Sequence, residues 1–368
     1  MRKILLALNS ELESLPPVMT LIDVLSERYQ IDILIPYPNK NLKKYYAEKG
    51  VHCICPYYYH PTKSPLINTI LRHSYLNFKF FWSARNLIKK EKYDLIWIAS
   101  AKTAILLSNL IRKQKYFITL YELYDNFPKI IKKLSIPIKN AQKTFVCEEN
   151  RAWIYRVWFN LKKTPIVIPN KPLTLPPVSP NKNLVQTIEK LKSTGKKILI
   201  YQGYIGEDRN IDTLCKAIGE SGKYTLVLMG PKSTYADNLS SKYEFVKYIG
   251  YFAPPAHLAI SSQADVGIVT YNPVSLNTIY CAPNKIWEYA AYELPMLANN
   301  VPGLTTTVGR SGAGLCIDME DPEEIKSALN TISEQYEALK KKSKDFYESV
   351  DIKKTIIESV EGYFAECK

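Results

Sequence analysis

Apolar residues along this chain fall in short continuous runs separated by longer amphipathic stretches. In the first half the runs are Ile4–Leu8, Ile31–Ile35, Val51–Cys55, Leu95–Ala99 and Phe117–Leu120, with further strands suggested at Lys143–Cys147 and Pro165–Ile168. Unbroken runs of this length, rather than alternating ones, predict strands of a parallel sheet buried on both faces. The segments between them are long enough for crossover helices. In Val18–Tyr29, for instance, Leu21, Val24 and Leu25 share one helical face.

The texture changes at Pro169. From there to Lys182 the chain carries Pro169, Pro172, Pro176, Pro177 and Pro180, a composition that makes a poor core and a good linker. After Lys196 the alternation restarts, with strands predicted at Ile198–Gln202, Thr225–Met229, Phe245–Ile249, Ala264–Tyr271, Pro295–Asn300 and Gly314–Asp318. A long polar helix is expected from Asp321 to Ser349 and a last helix near Asp351–Glu366. This pattern predicts an α/β chain of two doubly wound domains facing a central cleft. The expected boundaries are 1–170, a linker over 171–195, a second domain over 196–350, and a C-terminal helix over 351–368 that packs back on the first domain.

Ligands of open parallel sheets sit at the carboxyl ends of the strands. The segment Ala282-Pro283-Asn284-Lys285-Ile286-Trp287-Glu288-Tyr289 falls at such an end. Pro283 suits the first turn of a helix. The free N–H groups of that turn hold anions, and Lys285 adds a cation. Glu288, one turn on, offers acceptor oxygens for sugar hydroxyls. Together they describe a seat for a nucleotide or nucleotide-sugar. The same Lys–Glu spacing is also that of an ordinary solvated helix pair.

Composition narrows the class. The chain has 368 residues, 46% apolar and 23% charged, as expected of a folded soluble protein. No apolar run approaches the ~18 residues of a membrane span, and Ile4–Leu8 reads as a buried strand rather than a signal-peptide core. Seven cysteines without metal-site spacing predict reduced thiols in a cytoplasmic protein. The four histidines, His52, His60, His73 and His257, form no metal spacing either, and His257 reads as structural. Charge is lopsided. Residues 1–170 hold 27 Lys and Arg against 12 Asp and Glu, a net of +15, while residues 171–368 net −1. One half is therefore expected to meet an anionic surface.

Four segments of the second half resemble the GT-B glycosyltransferases, specifically the family 4-like bacterial enzymes that build polysaccharides. Gln202-Gly203-Tyr204-Ile205-Gly206-Glu207-Asp208-Arg209-Asn210 is similar to the family's glycine loop with its phosphate-binding cation. Ala264-Asp265-Val266-Gly267-Ile268-Val269 resembles a recurrent strand, Pro283-Asn284-Lys285-Ile286-Trp287-Glu288-Tyr289 the donor motif, and Leu294-Pro295-Met296-Leu297-Ala298 the strand after it. The resemblance covers residues 196–350 well and the first half in architecture alone.

The resemblance implies a Rossmann-like GT-B fold and a donor that is a nucleotide diphosphate-sugar. Arg209 and Lys285 would neutralise the diphosphate as it leaves. Glu288 would accept from the ribose, with Asn284 beside it, and Gly203 would let backbone approach the donor. Gly230, Gly250 and Tyr251, at strand ends, would frame the base, unless the glycines are plain turns. The chain departs from the family at three places. Tyr280 stands where the first of two glutamates is usual and supplies a hydroxyl instead of a carboxylate. Tyr204 stands where an arginine is usual, and Glu293 where a glycine ends the helix. There is no Asp-x-Asp triplet, so no metal or other cofactor is expected.

The loop Tyr121-Glu122-Leu123-Tyr124-Asp125, just past a strand of the first half, offers Glu122 or Asp125 as a general base. Asp125 alternatively caps a turn. Glu148-Glu149-Asn150-Arg151 resembles a segment before the family's linker, with Arg151 on a phosphate or in a surface ion pair. Three stretches of the first half, Leu66–Lys90, Phe127–Lys139 and Ala152–Lys163, mix cations with large apolar groups, as peripheral membrane attachment requires, unless the aromatics are core and the lysines an ordinary solvated face. The expected protein is a glycosyltransferase at the cytoplasmic face of the membrane, acting on a hydroxyl of a lipid-linked or oligosaccharide acceptor in cell-surface polysaccharide synthesis. A silent scaffold of the same fold and a nucleotide-sugar epimerase are the alternatives. No nucleic-acid signature is present.

Overall fold

A computed structural model of the chain describes residues 1–36, 40–56, 65–173, 186, 189–193, 195–219 and 221–367, without the side chains of 65–73. The prolines expected in the linker at 176, 177 and 180, and the side chains of Leu66 and Arg72, lie outside the described residues. The chain divides into two compact units, Met1–Pro169 with Ile352–Lys368, and Asn170–Asp351.

The first unit holds a seven-stranded sheet of β1 (Lys3–Ala7), β2 (Gln30–Leu34), β3 (His52–Ile54), β4 (Leu95–Ile98), β5 (Tyr116–Leu120), β6 (Lys143–Val146) and β7 (Ile166–Val167). Their order is β3-β2-β1-β4-β5-β6-β7, and every described pairing is parallel. The continuous apolar runs are explained by helices on both faces. Trp97, Phe117 and Phe145 meet at the core with ring centroids 4.8–5.5 Å apart. The C-terminal helix Ile352–Glu366 belongs to this core: the Tyr363 ring lies 5.1 Å from Phe117, and Lys143 Nζ donates to Ser359 O at 2.9 Å.

The second unit holds β8 (Lys197–Gln202), β9 (Tyr224–Met229), β10 (Val246–Gly250), β11 (Val266–Val269), β12 (Met296–Asn299) and β13 (Gly314–Ile317), ordered β10-β9-β8-β11-β12-β13 and again parallel. One apolar cluster covers each face of this sheet. The expected helix over Asp321–Ser349 is two helices, Pro322–Glu334 and Tyr336–Glu348, broken at Gln335. The break has a packing cause. Ile325, Leu329 and Ile332 bury against one face of the sheet, whereas Phe346 stacks on Trp287 at 4.3 Å on the other. One straight helix cannot serve both.

Asn170 and Lys171, expected at the linker, are buried in the second unit. Lys171 Nζ donates to the carbonyls of Tyr347 and Val350 at 2.5 and 2.6 Å, and the Tyr347 hydroxyl donates to Pro172 O at 2.8 Å. The lysine thus caps the C-terminal end of Tyr336–Glu348, where the helix dipole favours a cation. The seven cysteines carry free thiols.

Candidate active site

The order of the second sheet reverses between β8 and β11, and the candidate residues gather at the carboxyl ends of these strands. Beyond Gln202 the chain turns at Gly203, whose φ of +119° is open to glycine and strained for other residues. Gly230, after β9, has the tightest surroundings. A Cβ there would land on the carbonyl oxygen of Gly203. Its N–H donates to Gly250 O at 3.0 Å, so Gly203, Gly230 and Gly250 mark three adjoining strand ends. Tyr251, next in line, is exposed.

The glycine loop continues through the short turn Glu207–Arg209 and is stitched to the end of β11. Thr270 Oγ1 donates to Arg209 O at 2.9 Å, and Asn272 N–H donates to Asp208 O at 3.2 Å. These bonds aim Arg209 at the Tyr271 ring, 4.7 Å from its centroid, and 5.5 Å from that of Tyr204. Arg209 Nη1 is buried without a hydrogen-bond partner, and stands 3.6 Å from Asp208 Oδ2.

The second cation arrives from the helix Asn284–Ala291. Pro283 is its N-cap, one place earlier than expected, with φ −72° and ψ 142° and no side-chain cap bond. Lys285 and Glu288 lie three apart on this helix, and both are buried, which removes the reading of a solvated pair. Lys285 Nζ sits 4.2 Å from the Tyr201 ring centroid and 5.5 Å from that of Tyr271, the ring Arg209 also faces. A Cβ on Gly203 would come within 3.5 Å of the same ammonium. Two cations therefore converge on one aromatic ring beside the glycine loop. Burial, reinforced by the Arg209 charge and only partly opposed by Glu288, pushes the Lys285 ammonium down to about 7.

Glu288 is held at both oxygens. Gln202 Nε2 donates to Oε2, and His257 Nε2 lies 3.4 Å from Oε1. His257, read as structural from the sequence, is thus a direct partner of the donor motif, brought there by the helix His257–Ser261. Tyr289 ties the same helix to β8, accepting from Gln202 N–H at 3.3 Å and donating to Ile200 O at 3.2 Å. Upstream, Asn170 Nδ2 donates to Ala282 O at 2.8 Å. Tyr280 is half-buried and closes the short helix Leu276–Ile279. Gly303 supports it from below, since a Cβ there would lie 2.5 Å from Cys281 O. Glu293, at the glycine-like position after the helix, does adopt a left-handed φ of +61°, and pairs with Lys344 at 3.1 Å.

In the first unit, Glu122 is exposed and Asp125 half-buried, in a turn closed by Phe127 N–H on Tyr124 O at 2.8 Å. This loop is gripped from behind. Arg151 donates to Tyr121 O, and the Tyr155 hydroxyl to Glu122 O. Arg151 is accordingly a buried loop anchor, where one expectation from the sequence was a surface ion pair. Among the described residues, no three His, Cys, Asp or Glu side chains cluster as a metal site would need.

Residues 196–335 match the family model of glycosyl transferases group 1. The fold is GT-B, and the matched stretch lies within the second unit. Three solved structures show the likeness over whole chains. Sucrose-phosphate synthase from Thermosynechococcus elongatus is 17% identical, with a TM-score of 0.73 and 100% of both chains covered. HepE from Anabaena, in complex with UDP and glucose, is 12% identical at a TM-score of 0.69, again over 100% of both chains. A glycosyltransferase from Rickettsia africae is 14% identical at 0.66, over 100% of this chain and 99% of that one. Among curated proteins none matches in sequence. Within the second unit, Tyr201, Tyr271, Gln202, Ser261, His257, Asn170 and Gly303 join the site without having been assigned a functional role from the sequence. Gln202 and Tyr271 had a signal, their places at strand ends. The others had none.

Proposed function

We propose that the protein transfers a sugar from a nucleoside diphosphate-sugar to a hydroxyl of a lipid-linked or oligosaccharide acceptor, in cell-surface polysaccharide synthesis at an anionic cytoplasmic membrane face. The observation that carries the donor half is the meeting of Arg209 and Lys285 on the Tyr271 ring, beside a helix start without a side-chain cap. Two cations crowd an aromatic pocket, and a diphosphate supplies the missing negative charge. In the leaving step they stabilise that charge as it develops. Asn284 and the helix N–H groups orient it, Glu288 accepts from the ribose, and Tyr280 offers a hydroxyl to the sugar. Gly203, Gly230, Gly250 and Tyr251 frame the base, and Tyr204 lies along the loop. No metal or cofactor is assigned. Glu122 or Asp125 takes the proton of the acceptor. HepE and other structural relatives were captured with UDP or a UDP-sugar, which supports a nucleotide of this kind as donor.

Arg209→Ala is expected to weaken UDP binding at least tenfold by calorimetry, since a charged hydrogen bond contributes about 1.5–3 kcal/mol. Wild-type affinity in that variant would remove the diphosphate from this corner of the site.

The membrane half rests on the surface of the first unit. Phe78 and Trp82 on one helix, Phe127 and Ile136 at a second, and Trp153 and Val157 on a third are exposed, whereas Phe80, Leu134 and Phe159 are core. The helices Pro65–Lys90, Ala101–Ile111, Pro128–Asn140 and Glu149–Phe159 pack in succession in one layer. Arg85 and Arg156 cover Trp82 and Trp153 at 4.7 and 5.3 Å. Among the described residues no helix is long and apolar enough to cross a membrane. Exposed apolar groups ringed by cations suit headgroup docking. Sedimentation with vesicles should show binding to phosphatidylglycerol mixtures and little to pure phosphatidylcholine. Replacing Phe78, Trp82, Trp153 and Val157 by serine should lower it about tenfold or more. Equal binding to both vesicles would end the proposal.

A further inference from the structure

Glu288 is fixed by a chain of side chains from outside its own helix. Ser261 Oγ donates to Gln202 Oε1 at 2.5 Å, Gln202 Nε2 donates to Glu288 Oε2, and His257 Nε2 faces Glu288 Oε1 at 3.4 Å. His257 and Ser261 sit at the two ends of one five-residue helix, so a single element reaches both ends of the chain of contacts. Gln202, Ser261 and Glu288 are buried, and His257 Nδ1 is buried without a hydrogen-bond partner. An orphaned buried nitrogen is a cost the fold carries. The histidine is retained in that place with its other nitrogen on the carboxylate. A carboxylate has two oxygens and about four acceptor directions. Gln202 donates to one oxygen and His257 Nε2 stands 3.4 Å from the other, so each oxygen keeps an acceptor direction free.

We propose that His257, Gln202 and Ser261 are positioning residues that hold both oxygens of Glu288 in register for the two ribose hydroxyls of the donor. His257 presents Nε2 to Glu288 Oε1 at 3.4 Å and leaves Nδ1 without a partner. Gln202 is oriented by Ser261, which satisfies its carbonyl end and so directs its amide N–H to Glu288. No described bond joins any of the three to Arg209 or Lys285, so their effect is expected on ribose recognition. This inference rests on the donor reading given above.

The experiment compares UDP with 2′,3′-dideoxy-UDP, which lacks the hydroxyls, by calorimetry on the full chain, with GDP and ADP run alongside. His257→Leu and Gln202→Leu should each weaken UDP binding about tenfold, the loss of one charged hydrogen bond, and leave dideoxy-UDP binding within about twofold. His257→Gln, which restores an amide donor, should recover most of the loss. In turnover assays the donor KM should rise with kcat nearly unchanged, the mark of lost uniform binding. Equal weakening of UDP and dideoxy-UDP in His257→Leu would overturn the inference, as would no weakening of either. If the wild type bound none of the three diphosphates, the donor reading itself would fall, a result distinct from a relay that fails in a protein that binds UDP.

Discussion

Lys285→Met is expected to abolish donor binding and, at the same time, to make the empty protein more stable. The lysine is buried, shares the Tyr271 ring with Arg209, and is pushed down to about 7 by burial first and by that arginine second. Replacing such a charge by an apolar side chain of similar length gains about 1–4 kcal/mol in comparable cases. The direction with pH follows by linkage. The folded value lies below the usual 10.5, so between about 7 and 10.5 the unfolded chain holds more proton than the folded one. Stability from this group therefore rises with pH across that window, and the penalty is complete below it. The slope should vanish in Lys285→Met. A bound diphosphate reverses the situation, because its charge raises the ammonium again. Donor binding then takes up a proton near pH 8. It is strongest below about pH 7 and weakens by up to about tenfold per pH unit above it. Calorimetry in buffers of different ionisation heat reads the proton directly. A melting temperature lowered in Lys285→Met, or donor affinity that does not fall between pH 7 and 9, would contradict this account.

Gly230→Ala is the second large effect. The new methyl would land on the carbonyl oxygen of Gly203, and both groups are backbone at strand ends, so no side chain can swing away to relieve it. The glycine loop must move, and Arg209 moves with it. Overpacking of this kind costs about 1–3 kcal/mol or more, and donor affinity should fall at least tenfold with it. Gly222→Ala is the control. Gly222, unlike Gly230, has a positive φ, +63°, and a Cβ there meets nothing within 4 Å. It should cost about 1 kcal/mol by conformation alone and leave donor binding intact. Denaturant titration and UDP calorimetry on both variants separate loop displacement from backbone strain.

Much of the architecture was legible because parallel strands announce themselves. Runs such as Ile4–Leu8 and Ile198–Tyr201 are apolar throughout, and each became a strand buried on both faces. The helix break at Gln335 was not legible, since its cause is a change of packing partner and the local sequence stays helical. Lys285, Glu288 and Arg209 stood out because they cluster in short motifs with a glycine or proline nearby. His257 and Ser261 could not, being more than twenty residues from Glu288 and joined to it by the fold alone. Arg151 misled for a related reason: an arginine beside two glutamates looks like a surface ion pair until its guanidinium is found on the Tyr121 carbonyl. In the basic stretches, sequence mixed core with surface, because Phe78 and Phe80 differ in exposure but not in kind.

The bonds from Lys171 to Tyr347 and Val350 have a consequence for modularity. They pin the entrance and the exit of the 170–351 unit side by side, so that unit is an insert with clasped ends. A cassette of this form enters and leaves its host at one place, so it is exchangeable for another unit with the same clasp without rethreading the host.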